Sequence, residues 1–343
     1  MPGTGSGLDA QIGFGAESTW ATAVTPTRFM EFTGESLEQP PSFLDSTGLR
    51  AGVDVKRSSR TKVARYEMTG DVNMEVATLG MGLFVKHSLG SSVTSTTVIT
   101  APAYKQIHTL GGLKGLGLTT QVGRTDPNTG TVVPFTYSGN KVSKWTFDVK
   151  DNAIPMWGMT FVGQKEVTTT ALAGTSYLAN SSVFSFAQAT LKLGGTAATA
   201  SGETTITGGT VPATVIKSIN ITGDNAMDTD RYGIGNGGYR KEPLQNGIRT
   251  ITGKLDAEFD KTVYDLFTAG AAVPLQIDLV GDTISGANKF LFSIILPSVF
   301  IKKASPQVGG PEIVPMSMDF EAEWDETNPA IQVKIVSTEA STI

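Results

Sequence analysis

The sequence predicts a mainly β protein: a tandem duplication of an antiparallel β-sandwich or barrel, with one short helix per copy. Three observations carry this. Apolar and polar residues alternate with period two over most of the chain, helical periodicity is confined to two short stretches, and the chain resembles itself when slid by 183 residues.

Taken in order, residues 71–76 set Val72, Met74 and Val76 against Asp71, Asn73 and Glu75. Residues 144–150 set Trp145, Phe147 and Val149 against Lys144, Thr146, Asp148 and Lys150. Residues 254–260 set Leu255, Ala257 and Phe259 against Lys254, Asp256, Glu258 and Asp260. The run 316–325 sets Met316, Met318, Phe320, Ala322 and Trp324 against Ser317, Asp319, Glu321, Glu323 and Asp325. Such alternation marks strands with one buried and one wet face, as in antiparallel sheets. Pro127-Asn128-Thr129-Gly130 and Asn246-Gly247 are turn signals between runs. Helices are expected from Thr78 to His87, closed by Gly90, and from Thr262 to Ala269, closed by Gly270.

The repeat aligns 45–84 with 228–267 without a gap. Asp45, Gly52, Arg57, Thr69, Gly70, Glu75, Leu83 and Phe84 then meet Asp228, Gly235, Arg240, Thr252, Gly253, Glu258, Leu266 and Phe267. Upstream, Phe32-Thr33-Gly34 matches Ile221-Thr222-Gly223. Downstream, Met159-Thr160-Phe161 matches Met318-Asp319-Phe320 at an offset near 160, which places an insertion in the first half within 88–143. The expected division is a first domain over 1–178 with an N-terminal arm and a second over 179–343. The Thr/Ala/Ser-rich stretch 166–182 joins them. Chance likeness among Thr- and Gly-rich strands is the alternative.

Composition narrows the function. The chain has 343 residues, 39% hydrophobic and 17% charged, with net charge −5, which is a globular and not a disordered balance. No apolar run reaches the ~20 residues of a membrane helix. The opening Met1-Pro2-Gly3-Thr4-Gly5-Ser6-Gly7 lacks the pattern of a secretion signal, so a soluble product is expected. Cysteine is absent and only His87 and His108 exist, which removes disulfides, thiol nucleophiles and Cys- or multi-His-ligated metals. Neither histidine has a Ser/Asp arrangement beside it, so neither catalysis nor a cofactor is expected.

Two charged features stand out. Asp71, Glu75, Asp256, Glu258 and Asp260 sit at matching places in the two halves, and Asp319, Glu321 and Glu323 add another acidic strand face. They form either a solubilising outer surface or a wall that repels nucleic acid, since only Lys and Arg would hold phosphates. The excursion 50–65 carries Arg50, Lys56, Arg57, Arg60, Lys62 and Arg65 with Tyr66 as the one nearby aromatic. It reads as a solvated hairpin or as a loop that reaches a neighbouring subunit. Its counterpart, 233–249, is Gly-rich, with Arg231, Arg240, Lys241 and Arg249 in or beside it. Gly233-Ile234-Gly235-Asn236-Gly237-Gly238 fits G-x-G-x-x-G but lacks a preceding strand and a following helix, so it reads as a turn. Asp224, Asp228 and Asp230 do not have the spacing of a Ca²⁺ loop. Trp20, Trp145, Trp157 and Trp324 would suit a sugar-binding platform, but Trp145 and Trp324 fall on apolar faces and read as core.

Several segments together resemble one family. Gly7-Leu8-Asp9-Ala10-Gln11-Ile12-Gly13-Phe14-Gly15-Ala16-Glu17-Ser18-Thr19-Trp20, followed by Ala23 to Phe29, resembles the opening of major tail tube proteins of long-tailed bacteriophages, especially those of actinobacterial hosts. So do Ile219 to Asp224 with Asp228 to Tyr232, and Lys241 to Arg249 running into Thr252 to Phe259. The resemblance implies a tail-tube β fold with a flanking helix that closes into rings, stacks into a tube and lets phage DNA leave the head. It implies no catalytic residues. The partners it implies are further copies of itself, the tape measure and tail terminator proteins, and DNA in passing. The implied place is the virion tail, after assembly in the host cytoplasm, with no membrane. Rings in this family have sixfold geometry, so a two-copy chain implies a pseudo-hexameric trimer, with a hexamer as the alternative. Other β-rich readings are a capsid decoration protein, a secretion-type tube subunit or a carbohydrate-binding sandwich.

Overall fold

Strands here begin where alternation begins and end at turns that close on themselves. After the ninth strand, Asp126 accepts the backbone N–H of Asn128 at 2.9 Å and the hydroxyl of Thr129 at 3.0 Å, and Gly130 takes φ +67°. The computed structural model describes residues 5–90 and 97–340. The first half holds β1 (Gln11–Glu17), β2 (Arg28–Phe29), β3 (Gly34–Glu35), β4 (Pro41–Asp45), β5 (Thr61–Tyr66) and β6 (Thr69–Glu75). Helix α1 (Met81–Leu89) follows, then β7 (Thr97–Thr100), β8 (Ala103–Thr109), β9 (Gly117–Asp126), β10 (Thr131–Lys150), β11 (Met156–Val162) and β12 (Lys165–Val167). The second half holds β13 (Ala189–Leu193), β14 (Thr196–Ala200), β15 (Glu203–Thr207), β16 (Ile216–Asp224) and β17 (Thr250–Glu258). Helix α2 (Lys261–Thr268), β18 (Val273–Ser285), β19 (Asn288–Pro306), β20 (Pro315–Ala322) and β21 (Gln332–Ser337) complete it. The mainly β, antiparallel class with two α-helices among the described residues matches the expectation from the sequence.

The strand order of one half recurs in the other. The run β1–β9–β10–β11–β6–β3 pairs in the same sequence as β13–β18–β19–β20–β17–β16. The register recurs as well. Phe161, Met159 and Trp157 face Gly70, Val72 and Met74, while Phe320, Met318 and Met316 face Gly253, Leu255 and Ala257. Both long strands bulge at the same place, between Val142 and Lys144 and between Ile301 and Lys303. The offset drops from 183 at Gly70/Gly253 to 159 at Met159/Met318. The β7–β8 hairpin lies between these points and has no counterpart after α2, where β18 starts at Val273. The Thr-Gly match is corrected by the pairing: Gly34 lies opposite Asn73, whereas Ser218, not Gly223, lies opposite Asp256. A two-residue motif in a Thr- and Gly-rich chain does not fix register.

Aromatics fill the space between the halves. Trp145 stacks on Trp157 at 5.2 Å, and Phe147 of β10 stacks on Phe292 of β19 at 5.7 Å. Glycines make room for these rings: a Cβ on Gly223 would lie 2.2 Å from the Trp145 ring, and one on Gly253 would lie 2.2 Å from that of Phe320. The helices differ. Eight of nine α1 residues are buried, and Gly80 and Gly90 cap it with left-handed φ, so it starts at Met81 and not at Thr78. Arg249 donates to the carbonyls of Leu89, at 3.1 Å, and Gly111, at 2.7 Å, which satisfies an orphan acceptor at the helix end. Helix α2 buries only Val263.

Candidate functional site

The two halves share one sheet. Lys144–Lys150 of β10 pairs with Asp224–Ser218 of β16, which joins β3–β6–β11–β10 to β16–β17–β20–β19 as eight strands in one run. Side chains alternate across a strand, so paired residues share a face. One face holds Val72, Met159, Trp145, Ile221, Leu255 and Met318, all buried. The other carries Asp71 and Glu75, Thr160, Lys144 and Asp148, Asp224 and Asn220, Lys254, Asp256 and Glu258, then Asp319 and Glu321, and last Lys303 and Ser305.

The charge on this face is mixed and acid-rich. Asp71, Glu75, Asp148, Asp224, Asp256, Glu258, Asp319 and Glu321 stand against Lys144, Lys150, Lys254 and Lys303. Lys144 pairs with Asp224 at 3.1 Å and Lys254 with Asp256 at 3.0 Å. Lys302, in the bulge, reaches Glu321 at 3.7 Å and Glu323 at 2.6 Å. Asp71 accepts from the Thr160 hydroxyl at 2.6 Å. Partial burial pushes the Asp256 carboxyl up, but bonds from Ser317, Lys254 and Ser218 outweigh it and hold the group below the usual carboxylate range. By formal charge, with eight carboxylates against four lysines, the face is net negative.

Three expected members of the acidic strand faces lie off the sheet. β17 ends at Glu258, and Asp260 caps α2 by accepting the Thr262 N–H at 2.7 Å. β20 ends at Ala322, so Glu323 and Asp325 follow the strand, and Asp325 accepts the Asn328 N–H at 2.6 Å. Trp324 is not core: it is 67% exposed, in a shallow groove with Leu110 and Ile248. The apolar alternation of 316–325 outlasts the strand because loop residues there keep the same polarity pattern. Trp145 and Trp157 are buried against each other and Trp20 donates to the Gly139 carbonyl at 2.9 Å, so the tryptophans do not share a surface.

The basic excursion is the β4–β5 hairpin, with Asp45 opposite Thr61 at the start of a long tip. Lys56 pairs with Asp45, and Arg65 pairs with Glu67 and with Asp230, the latter at 2.6 Å, while lying over the Tyr232 ring at 4.8 Å. Arg65 thus fastens the hairpin base to its own chain. Arg50, Arg57, Arg60 and Lys62 make no ion pair among the described residues. The same hairpin exposes apolar residues that the charge pattern does not reveal: Leu44 and Leu49 ahead of Arg50, and Val55 beside Lys56, are 65%, 102% and 73% exposed.

The counterpart excursion does the opposite and folds back on the first half. Arg240, 5% exposed, donates to the carbonyls of Met68, Gly163 and Thr229. Tyr239 stacks on Tyr66 at 4.9 Å. Glu242 accepts from the buried Lys141 ammonium at 2.5 Å and from the Gly115 N–H at 2.6 Å. Burial lowers the Lys141 pKa and the Glu242 bond opposes it. The aligned pair Arg57 and Arg240 thus do different work. Gly235, Gly237 and Gly238 take φ of +84°, +62° and +81°, and no helix follows them. Asp224 and Asp230 pair with Lys144 and Arg65, and Asp228 accepts the Asp230 N–H at 3.0 Å. Both histidines are buried. Burial drives His87 down to about 4 and His108 to about 3, so both are neutral at physiological pH.

A family model described as phage tail tube protein matches residues 7–322. Among solved structures, the chain is similar to the SPP1 tail tube determined by solid-state NMR and cryo EM. The TM-score is 0.26 and the identity 13%, covering 45% of this chain and 80% of that one. No curated protein matches the chain.

Proposed function

The chain belongs to the phage tail tube proteins, a virion structural family, and we propose that its eight-stranded polar face is the inner wall of the tube. The observation that carries this is the single run β3–β6–β11–β10–β16–β17–β20–β19, apolar on one side and net negative on the other. Phosphates at one charge per ~1.7 Å of duplex are repelled by such a wall, on which carboxylates outnumber the lysines and Lys144 and Lys254 are already paired. The protein works by assembly and passive conduction, not by catalysis.

The run also bears on ring size. Each half contributes four strands to it, so the halves act as two equivalent domains, and three chains fill six positions. At ~4.8 Å per strand and a tilt of ~40°, twenty-four strands close at a diameter of about 48 Å between backbones. Six chains would supply forty-eight strands and about 95 Å, which no longer guides one duplex. The β4–β5 hairpin reaches the next ring, where its cations meet carboxylates and its aliphatic residues are covered. Rings grow on a tape measure and end at a terminator in the host cytoplasm, and the finished tube resides in the virion tail. Electron microscopy of the purified protein at high concentration tests the reading. Tubes whose density averages cleanly at threefold but blurs at sixfold are expected, and a monodisperse monomer under all assembly conditions would overturn it.

A further inference from the structure

The internal repeat leaves one cradle filled in the first half and its counterpart open in the second. In the first half, Gly238–Arg240 of the Gly-rich excursion lies across the start of β6 and the end of β11. The Tyr66 N–H donates to the Gly238 carbonyl at 2.9 Å, and Arg240 donates to the carbonyls of Met68, at 2.9 Å, and Gly163, at 3.0 Å. Gln164 donates to the Arg240 carbonyl at 3.0 Å, and the Lys165 ammonium lies 5.7 Å from the centre of the Tyr239 ring. Gly238 is pressed close: a Cβ there would lie 3.2 Å from the Arg65 Cα.

The offsets that relate the two halves carry this cradle to the second. Arg65 and Met68 correspond to Ile248 and Ile251, while Gly163, Gln164 and Lys165 correspond to Ala322, Glu323 and Trp324. All five counterparts line the shallow groove around Trp324, and no residue of 46–60 reaches it. Ile248 is 90% exposed there. The counterpart of the arm Gly238–Arg240 is Val55–Arg57 of the β4–β5 hairpin. In its own chain Val55 is exposed and Arg57 makes no ion pair among the described residues. Each chain thus holds one arm and one cradle that it does not use itself.

We propose that Val55–Arg57 of a second copy seats in the Trp324 groove as Gly238–Arg240 seats on the first half. The inference rests on the tube reading for the supply of neighbouring copies, and it leaves Leu49 and Arg50 at the hairpin tip for the next ring. The residues differ between the two contacts in a matched way. Where Gly238 lies against Arg65, Val55 meets Ile248, so an apolar pair replaces a glycine and a cation. Where the Tyr239 ring lies beside Lys165, Lys56 falls beside the Trp324 ring, so ring and cation have exchanged sides. Lys56 is bound to Asp45 of its own chain, but its side chain is largely exposed and can turn. Arg57 keeps the arginine of the first contact and reaches the carbonyls of Ile251 and Ala322. Glu321 and Glu323, both paired with Lys302 alone among the described residues, give the cationic arm a negative rim.

The absence of cysteine suits the contact to disulfide trapping. Val55→Cys and Ile248→Cys chains, one of them carrying a size tag, are mixed, assembled, oxidised and run on a non-reducing gel. Both positions are exposed, so the substitutions leave folding intact. The approach of Gly238 to Arg65 in the first contact is within reach of a disulfide. A mixed dimer at least tenfold more abundant than for Val55→Cys with Ile313→Cys is expected, since Ile313 is also exposed but precedes the far end of β20. Adding Arg57→Ala to the Val55→Cys chain cuts the yield at least fivefold. Equal yields at Ile248 and Ile313, a yield unmoved by Arg57→Ala, or no mixed dimer in a sample whose micrographs show tubes overturns the docking and leaves the tube reading standing. Mixed dimers at the expected yield without tubes support the docking and overturn the tube.

Discussion

Replacing Arg240 by alanine tests whether the two halves are one stability unit. Its guanidinium spans them, donating to Met68 at 2.9 Å and Gly163 at 3.0 Å in the first half and to Thr229 at 2.6 Å in the second. Hydrogen bonds from a charged donor contribute ~1.5–3 kcal/mol each, and a buried acceptor left alone costs ~1–3 kcal/mol. The Met68 carbonyl retains the Gly163 N–H at 3.2 Å, which offsets part of the loss. Because bonds made by one side chain are not additive and single substitutions rarely exceed ~4–5 kcal/mol, the cost of Arg240→Ala is about 3–4 kcal/mol. With a urea slope of ~3 kcal/mol/M, the unfolding midpoint falls by about 1 M. Arg240→Lys recovers less than half, since one ammonium cannot serve three diverging carbonyls. A midpoint shift below about 0.3 M, or full recovery by lysine, would refute the reasoning.

Other outcomes are equally open to measurement. Asp256→Lys, Glu258→Lys and Glu321→Lys combined leave folding largely intact, yet the tubes retain DNA with a salt slope of about −0.9 per phosphate held; tubes that bind no DNA at low salt would take these residues off the channel wall. Shortening 46–60 to a tight turn leaves the thermal midpoint of the monomer unchanged within a few degrees while tube growth stops, as scored by microscopy. For the histidines, folded pKa values of about 4 and about 3 lie below the unfolded value of ~6.5, so the unfolded chain binds more protons as pH falls. The histidine contribution to stability is constant above pH ~6.5 and declines from there to about pH 3, and His87→Gln with His108→Gln flattens that decline in a melting series. Gly253→Val drives its side chain into the Phe320 ring and lowers stability by about 1–3 kcal/mol in the same urea assay.

What the sequence revealed follows from where one face is wet. β6, β17, β20 and the last part of β10 alternate because their sheet has a polar side, and those runs are readable to within about four residues, whereas Thr131–Ser143 of β10 does not alternate and goes unread. β1 was not, because Gln11–Glu17 is buried on both faces and its Gly13 and Gly15 admit Phe29 and Val24 at close range. The acidic residues were legible as strand positions only while the strand lasted, hence Asp260 and Glu323 were misplaced. The inward roles of Arg231, Arg240 and Arg249 were not legible, because arginine bonded to backbone carbonyls leaves no partner signature in sequence. The joining of both halves through β10 and β16 depends on tertiary pairing, which alternation does not encode.

The ion pair between Arg28 and Glu339, at 2.8 Å with both side chains nearly buried, has a consequence in time. Glu339 also accepts the Gly80 N–H at 2.6 Å across 259 residues, and β21 pairs with β8. A ribosome makes the first half long before it makes these partners. Until β21 and Glu339 emerge, β8 keeps an open edge and the Arg28–Glu339 pair cannot form, so the first half stays unclosed. Polysomes place many such chains side by side at high local concentration, where an early, competent sheet would polymerise around its own messenger. Closing the first half with Glu339 and β21 ties competence for assembly to synthesis of both halves.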